Sequence, residues 1–240
     1  MLSSQKLFRF HNMCQITVVN LVVGVLLLGF CGEVLYAQPA TYGGAMRWYE
    51  KEAKKGSAKA QFLLGVLYSE GVGSRPKDQS AAFSWFQKAA QQGHASAQYK
   101  LGSAYHFGLG IPRNFFLAEK WYRRAAEKDA TEAQHNLGYL LENGLGVEKS
   151  EDEAVIWYLK AARNGLGASQ LAVGYMYLRG KGAKEDPAEA WAWFRAAASR
   201  ETPNARQALE IAEKGLGPTQ LNRAQRLAEK RIRKNLPRGR

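Results

Sequence analysis

Five tryptophan–aromatic pairs recur along this 240-residue chain: Trp48-Tyr49, Trp85-Phe86, Trp121-Tyr122, Trp157-Tyr158 and Trp193-Phe194. Their spacings are 37, 36, 36 and 36 residues. A period of this length marks stacked repeats, in which each unit buries its apolar face only against its neighbours. Such arrays mostly bind other molecules, so what is bound, and in which compartment, become the main questions.

A second anchor keeps the same period. Ala60-Gln61-Phe62-Leu63-Leu64-Gly65 returns as Ala97-Gln98-Tyr99-Lys100-Leu101-Gly102 and as Ala133-Gln134-His135-Asn136-Leu137-Gly138. It returns more loosely as Ser169-Gln170-Leu171-Ala172-Val173-Gly174. Three residues beyond each glycine stands Tyr68, Tyr105, Leu141 or Tyr177, followed by a Gly-x-Gly at 71/73, 108/110, 144/146 and 180/182. Gln61, Leu64, Gly65 and Tyr68 share one face of an α-helix. A mid-helix glycine costs about 1 kcal/mol against alanine. Gly65, Gly102, Gly138 and Gly174 at one phase therefore predict a neighbouring helix in close approach. The Gly-x-Gly supplies the positive φ that ends a helix. The second helix carries Trp and an Ala pair on one face, as in Ala81-Ala82-x-x-Trp85-Phe86-x-x-Ala89-Ala90. Trp85, Trp121, Trp157 and Trp193 are expected as core anchors, each worth about 3–5 kcal/mol against alanine.

These residues resemble the Sel-one-like repeat family, relatives of the tetratricopeptide (TPR-like) repeats. The pattern AQxxLGxxYxxGxG followed by WYxKAA carries the resemblance over about residues 40–202. It implies an all-α chain: an α-solenoid of helix-turn-helix units in a right-handed superhelix, closed by C-terminal capping helices. Four units read 57–93, 94–129, 130–165 and 166–202, after a half unit at 38–56 that acts as N-terminal cap. Leu141 departs from the usual Tyr, and Asp129 and Glu201 replace the terminal glycine seen as Gly93 and Gly165. The last unit resembles the ending of exported bacterial members. In 203–240, Thr202-Pro203 is expected as N-cap and first residue of one capping helix. Gly215 and Gly217 break it, and Pro218 opens a second with an apolar stripe of Leu221, Ala224, Ala228 and Ile232.

The N-terminal 37 residues stand apart. Lys6 and Arg9 precede an apolar run from Ile16 to Phe30, and a short polar region ends at Ala37. This is the layout of a secretory signal peptide. The 22 residues from Ile16 to Ala37 also match the ~20 needed to span a bilayer as an uncleaved anchor. Either reading keeps the basic end inside and exports the rest, to the periplasm or to the periplasmic face of the inner membrane. Both cysteines, Cys14 and Cys31, lie in this segment, so the repeats themselves must fold without disulfides.

Nothing in the repeats spells a catalytic constellation. His94, His106 and His135 form no i, i+4 metal pair, and no HExxH motif or cysteine ligand set exists. The Gly-x-Gly pairs lack the third glycine and the preceding strand of a dinucleotide loop. Glu151, Asp152 and Glu153 read as dipole-complementing charges at a helix start. No enzyme, cofactor or metal is expected, and a cell-wall or antibiotic hydrolase is a minor alternative.

Binding surfaces remain. The resemblance implies a ligand stripe on the concave face of the first helices. It comprises Phe62, Val66, Ser69 and Glu70; Tyr99, Ser103, His106 and Phe107; His135, Tyr139, Glu142 and Asn143; and Leu171, Tyr175, Leu178 and Arg179. Phe62, Tyr99, Ser103, His106, His135, Tyr139, Tyr175 and Arg179 are the favoured contacts, since aromatics and Arg are common binding anchors. Packing of the same side chains against the next unit is the competing reading. The charge points elsewhere. Of a net +13, +7 falls in 203–240, where ten basic residues face three acidic ones. Arg223, Arg226, Lys230 and Arg233 lie opposite the apolar stripe of the last helix. They suit an anionic membrane surface or polymer, or simply form a solvated face. The expected role is an exported scaffold for another envelope protein or peptide. Nucleic acid is disfavoured by export, and the oligomeric state is left open.

Overall fold

The computed structural model describes residues 42–71 and 76–234, all within one compact unit, Thr41–Arg240. The signal or anchor segment, Cys14, Cys31, Gly73 and the last six residues lie outside the described residues. Among the described residues eleven α-helices follow one another: α1 (Tyr42–Lys54), α2 (Ala58–Glu70), α3 (Gln79–Gln91), α4 (Ala95–Phe107), α5 (Phe115–Ala126), α6 (Thr131–Asn143), α7 (Glu151–Arg163), α8 (Gly167–Arg179), α9 (Pro187–Ala198), α10 (Ala205–Lys214) and α11 (Pro218–Lys234). No strand occurs among the described residues. Each helix packs on the next through α10, and α11 returns to α9. This is an all-α solenoid with α1 as a leading second helix and α10 and α11 as the cap.

Within a unit, the close approach of two helices centres on one aromatic. A methyl group on Gly65 would stand 2.6 Å from the Phe86 ring, and one on Gly102 2.6 Å from Tyr122. Gly138 and Gly174 meet Tyr158 and Phe194 in the same way. The ring at the close approach is therefore the second aromatic of each full unit's pair. Phe86, Tyr122, Tyr158 and Phe194 are all buried. The tryptophans sit one step outward and become more buried along the chain: Trp48 is 38% exposed, Trp85 and Trp121 are half-buried, Trp157 is 8% exposed and Trp193 4%. The physical reason is position on the helix. The residue after Trp faces the glycine of its own unit, whereas Trp packs with the preceding unit. Trp85, for example, packs in a cluster with Met46 and Tyr49 of α1.

A cation covers the outer side of each inner tryptophan from one turn on. Lys88 lies 4.3 Å from the Trp85 ring, Arg124 4.6 Å from Trp121 and Lys160 3.9 Å from Trp157. Such contacts add about 0.5–1 kcal/mol at exposed sites.

The units are joined by a side chain whose role the sequence did not announce. The glutamine of each Ala-Gln pair is buried and reaches back across the seam. Gln61, Gln98, Gln134 and Gln170 donate Nε2 to the carbonyls of Ala53, Ala90, Ala126 and Ala162 at 3.1–3.3 Å. Those carbonyls belong to the last turn of the preceding helix, where they also accept the turn N–H groups of Gly56, Gly93, Asp129 and Gly165. Each glutamine thus caps its neighbour and fixes the spacing of the stack. Within each unit the cap of the second helix closes the hairpin. The N–H groups of Asp78, Asn114, Ser150 and Asp186 donate to Tyr68, Tyr105, Leu141 and Tyr177 at 2.8–3.0 Å. Their side chains in turn accept from Ala81, Leu117, Glu153 and Glu189.

The cap departs from expectation at its start. Thr202 and Pro203 precede α10 and do not open it. Asn204 is the N-cap, at φ 63°, and Pro203 lies in a turn. Thr202 is held by its neighbours: its N–H donates to Ala197 O, and its carbonyl accepts from Ala205. Asp129 and Glu201 adopt left-handed φ of 59° and 56°, the conformation that Gly93 and Gly165 hold elsewhere. Helix α10 contains no glycine, and α11 packs back on α9. Helix α11 opens at Pro218, with Ala224 and Ala228 buried and Leu221 and Ile232 half-buried.

Candidate binding stripe

The stripe along α2, α4, α6 and α8 is partly a seam between units. Phe62 of α2 stacks on His94, ring centroids 4.7 Å apart. His94 caps α4, its Nδ1 accepting from Ala97 N–H at 3.3 Å. Tyr99 is half-buried, 6.0 Å from Tyr122. Ser103 is buried. It donates to Tyr99 O at 3.1 Å and accepts from the Tyr122 hydroxyl at 3.3 Å. Burial pushes the Tyr122 phenol up to about 12. His135 meets the Ser169 hydroxyl of the next unit at 2.8 Å. Tyr175 packs edge-on against Phe194 at 5.0 Å, and the Arg179 guanidinium lies 5.2 Å from the Tyr175 ring centroid.

One part of the stripe stays open. His106 stacks on Phe107 with ring centroids 4.2 Å apart and an interplanar angle of 6°. It stacks on Tyr139 of the next unit at 6.0 Å and 21°. Phe115 closes the cluster edge-on, with Arg113 lying 5.0 Å from its centroid. Phe107 is 62% exposed and Tyr139 43%. Three near-parallel rings from two units therefore present an apolar surface to solvent. Ser103 and His135, favoured as contacts, turn inward instead. Phe107, given no special weight in the sequence, is the most exposed ring of the set, because it lies in the last turn of α4 beyond the reach of α6. Across α7, the Glu142 carboxylate accepts from the Tyr158 hydroxyl at 2.9 Å, which leaves it less available to a partner.

The basic cap divides as well. Arg223 makes a bidentate pair with Asp186, Nη1 to Oδ1 3.0 Å and Nη2 to Oδ2 2.7 Å, so it ties α11 to α9. Arg231 pairs with Glu189 and lies 4.2 Å from the Trp193 ring centroid. It supplies from α11 the cation that α9 lacks, since Ala196 stands where the other units have Lys or Arg. Arg226 and Lys230 are exposed. Arg233 falls within α11, its side chain outside the description.

Among the described residues no group of three or more His, Cys, Asp or Glu is placed to hold a metal ion. No helix among them is long and apolar enough to cross a membrane.

A family model described as Sel1 repeat matches residues 58–94, 95–129, 131–166 and 167–201. Among solved structures, the chain is similar to that of c5321, a protective antigen present in uropathogenic Escherichia coli strains displaying an SLR fold. The identity is 38% and the TM-score 0.76, over 83% of this chain and 43% of that one. It is also similar to a Sel1 repeat protein from Oxalobacter formigenes. There the identity is 34% and the TM-score 0.65, over 77% of this chain and 75% of that one. The chain thus spans less than half the length of the first of these relatives. No curated protein matches it.

Proposed function

The chain belongs to the Sel1 repeat family, whose members are commonly protein-interaction scaffolds, and from that premise we propose that it is a non-enzymatic scaffold of the bacterial cell envelope. Its docking surface is the open ring stack of His106, Phe107 and Tyr139. One observation carries this reading: two large aromatic rings from different units, Phe107 and Tyr139, stand exposed on either side of His106, whereas the other aromatics of the stripe are half-buried. Exposed aromatics at the centre of a stripe are the usual energetic anchors of a protein interface. Exposed Arg226 and Lys230 on α11 favour a second reading, contact with an anionic surface.

A photo-reactive phenylalanine analogue placed at 107, at 226 and, as a control, at the exposed Ile211 of α10 separates these readings in cells. Discrete protein adducts at 107 are expected, and they should fall at least tenfold when Tyr139→Ala is added. Adducts at 226 alone would favour the anionic surface. Equal adducts at 107 and 211 would reject the stripe.

Export is part of the same proposal, supported by the charged, apolar and polar succession of residues 1–37. Intact-mass measurement of the protein purified from its membrane and periplasmic fractions should give a mature N-terminus at Gln38, or an intact N-terminus in the membrane fraction. Recovery in the cytoplasm with Met1 intact would overturn export.

A further inference from the structure

A histidine stands at each inner seam of the array: His94 between the first and second units, His106 between the second and third, His135 between the third and fourth. We propose that these three side chains make the array pH-sensitive, their protonation loosening the stacking of successive repeats as the surroundings acidify below about pH 6.5. The inference goes beyond the scaffold reading and holds whether or not the stripe takes a partner.

The argument rests on where each imidazole sits. His94 is the N-cap of α4, and its Nδ1 accepts the Ala97 N–H. A protonated ring has no lone pair left at Nδ1, so the cap is lost. The added charge also faces the positive end of the α4 dipole. The charged groups acting on it are Lys59 of α2 and Lys128 after α5, both cations. His135 meets Ser169 in the first turn of α8, again at the positive end of a helix. Ser169 is fully buried, and the other group against His135 is the ring of Tyr158. Glu142 is engaged by the Tyr158 hydroxyl at 2.9 Å, and burial is what acts on His135. His106 faces Arg113, the Tyr122 hydroxyl at 3.4 Å, and the rings of Phe107, Phe115 and Tyr139. Aromatic faces attract a cation, so His106 opposes protonation least and the main weight falls on His94 and His135. Tyr122 and Tyr158 stay neutral throughout, because burial pushes both phenols up.

The direction of the linkage follows. Burial pulls all three imidazoles below the ordinary histidine value of 6.5, helped by Lys59 at His94 and by Arg113 at His106. The folded state then holds fewer protons than the unfolded state. Stability is complete above about 6.5, the unfolded value, and declines as pH falls from there to the folded values. Carboxylates titrate lower and are nearly silent down to about pH 5.5.

Native-state hydrogen exchange of the full chain at pH 7.5, 6.5 and 5.5, corrected for intrinsic rates, reads each seam separately. Protection in the first turns of α4 and α8 is expected to fall severalfold between pH 7.5 and 5.5, with about tenfold as the ceiling for a single histidine. Amides in the middle of α7 should change less than twofold. A triple variant His94→Asn, His106→Phe and His135→Asn keeps the cap acceptor, the stacked ring and the Ser169 partner but cannot titrate, and its profile should be flat. Flat seams in the unaltered protein, or an undiminished fall in the variant, would overturn the proposal. Should the triple variant not fold, His135→Asn read at α8 gives the same decision. Imidazole titration by NMR is the independent check: values at or above 6.5 for both His94 and His135 reject the idea.

Discussion

Replacing Tyr122 by alanine is expected to destabilise the protein by about 4 kcal/mol, and replacing its neighbour Trp121 by only about 2 kcal/mol. Tyr122 is fully buried against Gly102, and its hydroxyl bonds to Ser103. Truncation there leaves a cavity in a site that Gly102 is too small to refill, and it removes the partner of a buried hydroxyl. Trp121 is half-buried at the edge of its cluster, and Arg124 covers its outer side. Its loss costs less apolar burial. The two residues are adjacent in one unit, so the comparison is free of position effects along the array. Urea unfolding followed by circular dichroism measures both. A Trp121→Ala effect equal to or larger than that of Tyr122→Ala would show that the assignment of the core aromatic is wrong.

Gly146→Ala should cost about 3 kcal/mol or more, and Gly144→Ala only about 1–2 kcal/mol. Both glycines hold left-handed φ, 71° and 67°, so each alanine meets the same conformational penalty. They differ in what surrounds them. A methyl on Gly146 runs into the backbone of Phe115 and Phe116, the first turn of the preceding unit's second helix. Backbone cannot swing aside, so the seam between the second and third units must shift. A methyl on Gly144 meets the Lys149 Cβ at 3.2 Å, a contact relieved by a shift of a few tenths of an ångström. The difference between the two midpoints isolates the inter-unit clash. If they coincide, the second glycine of the pair has no role in stacking. Gly110 and Gly182 meet Gln79 and Glu151 in the same arrangement, which makes this a property of the repeat.

Both predictions concern residues whose presence was plain in the sequence and whose work was not. The 36-residue period, the mid-helix glycines and the Gly-x-Gly turns identified the helix pairs, and the matched segments and helices follow that period. Which aromatic of each pair meets the glycine of the partner helix was not legible, although Trp157 and Trp193 are buried as expected. Trp is the larger and rarer residue, so pattern reading weights it more, while burial depends on which side chain faces the glycine of the partner helix. The glutamine that recurs in each unit reads in the sequence only as part of a helical face. Its bond to a carbonyl eight residues back needs the preceding unit in place to be seen. The stripe shows the same limit. Helical spacing put Phe62, Ser103, His106 and His135 on one line, but stacking decided that Ser103 and His135 turn toward a neighbour while Phe107 and Tyr139 face solvent.

The C-terminal cap sharpens the contrast. Alternating apolar and basic positions announced an amphipathic last helix, and α11 is one. Periodicity alone assigned Arg223 to the outer face, yet Asp186 of α9 draws it into an ion pair, and Arg231 covers Trp193 because Ala196 leaves that ring without a cation of its own. Sequence by itself determined the repeat, its helix pairs and the absence of thiols from the array, since these rest on local periodicity and composition. Tertiary structure alone decided which ring is core, which histidines stand at seams and which cations remain in solvent. Those outcomes depend on side chains brought within contact distance by the partner helix of the same unit, about 20 residues away, or by the neighbouring unit, some 30 to 40 residues away in the chain.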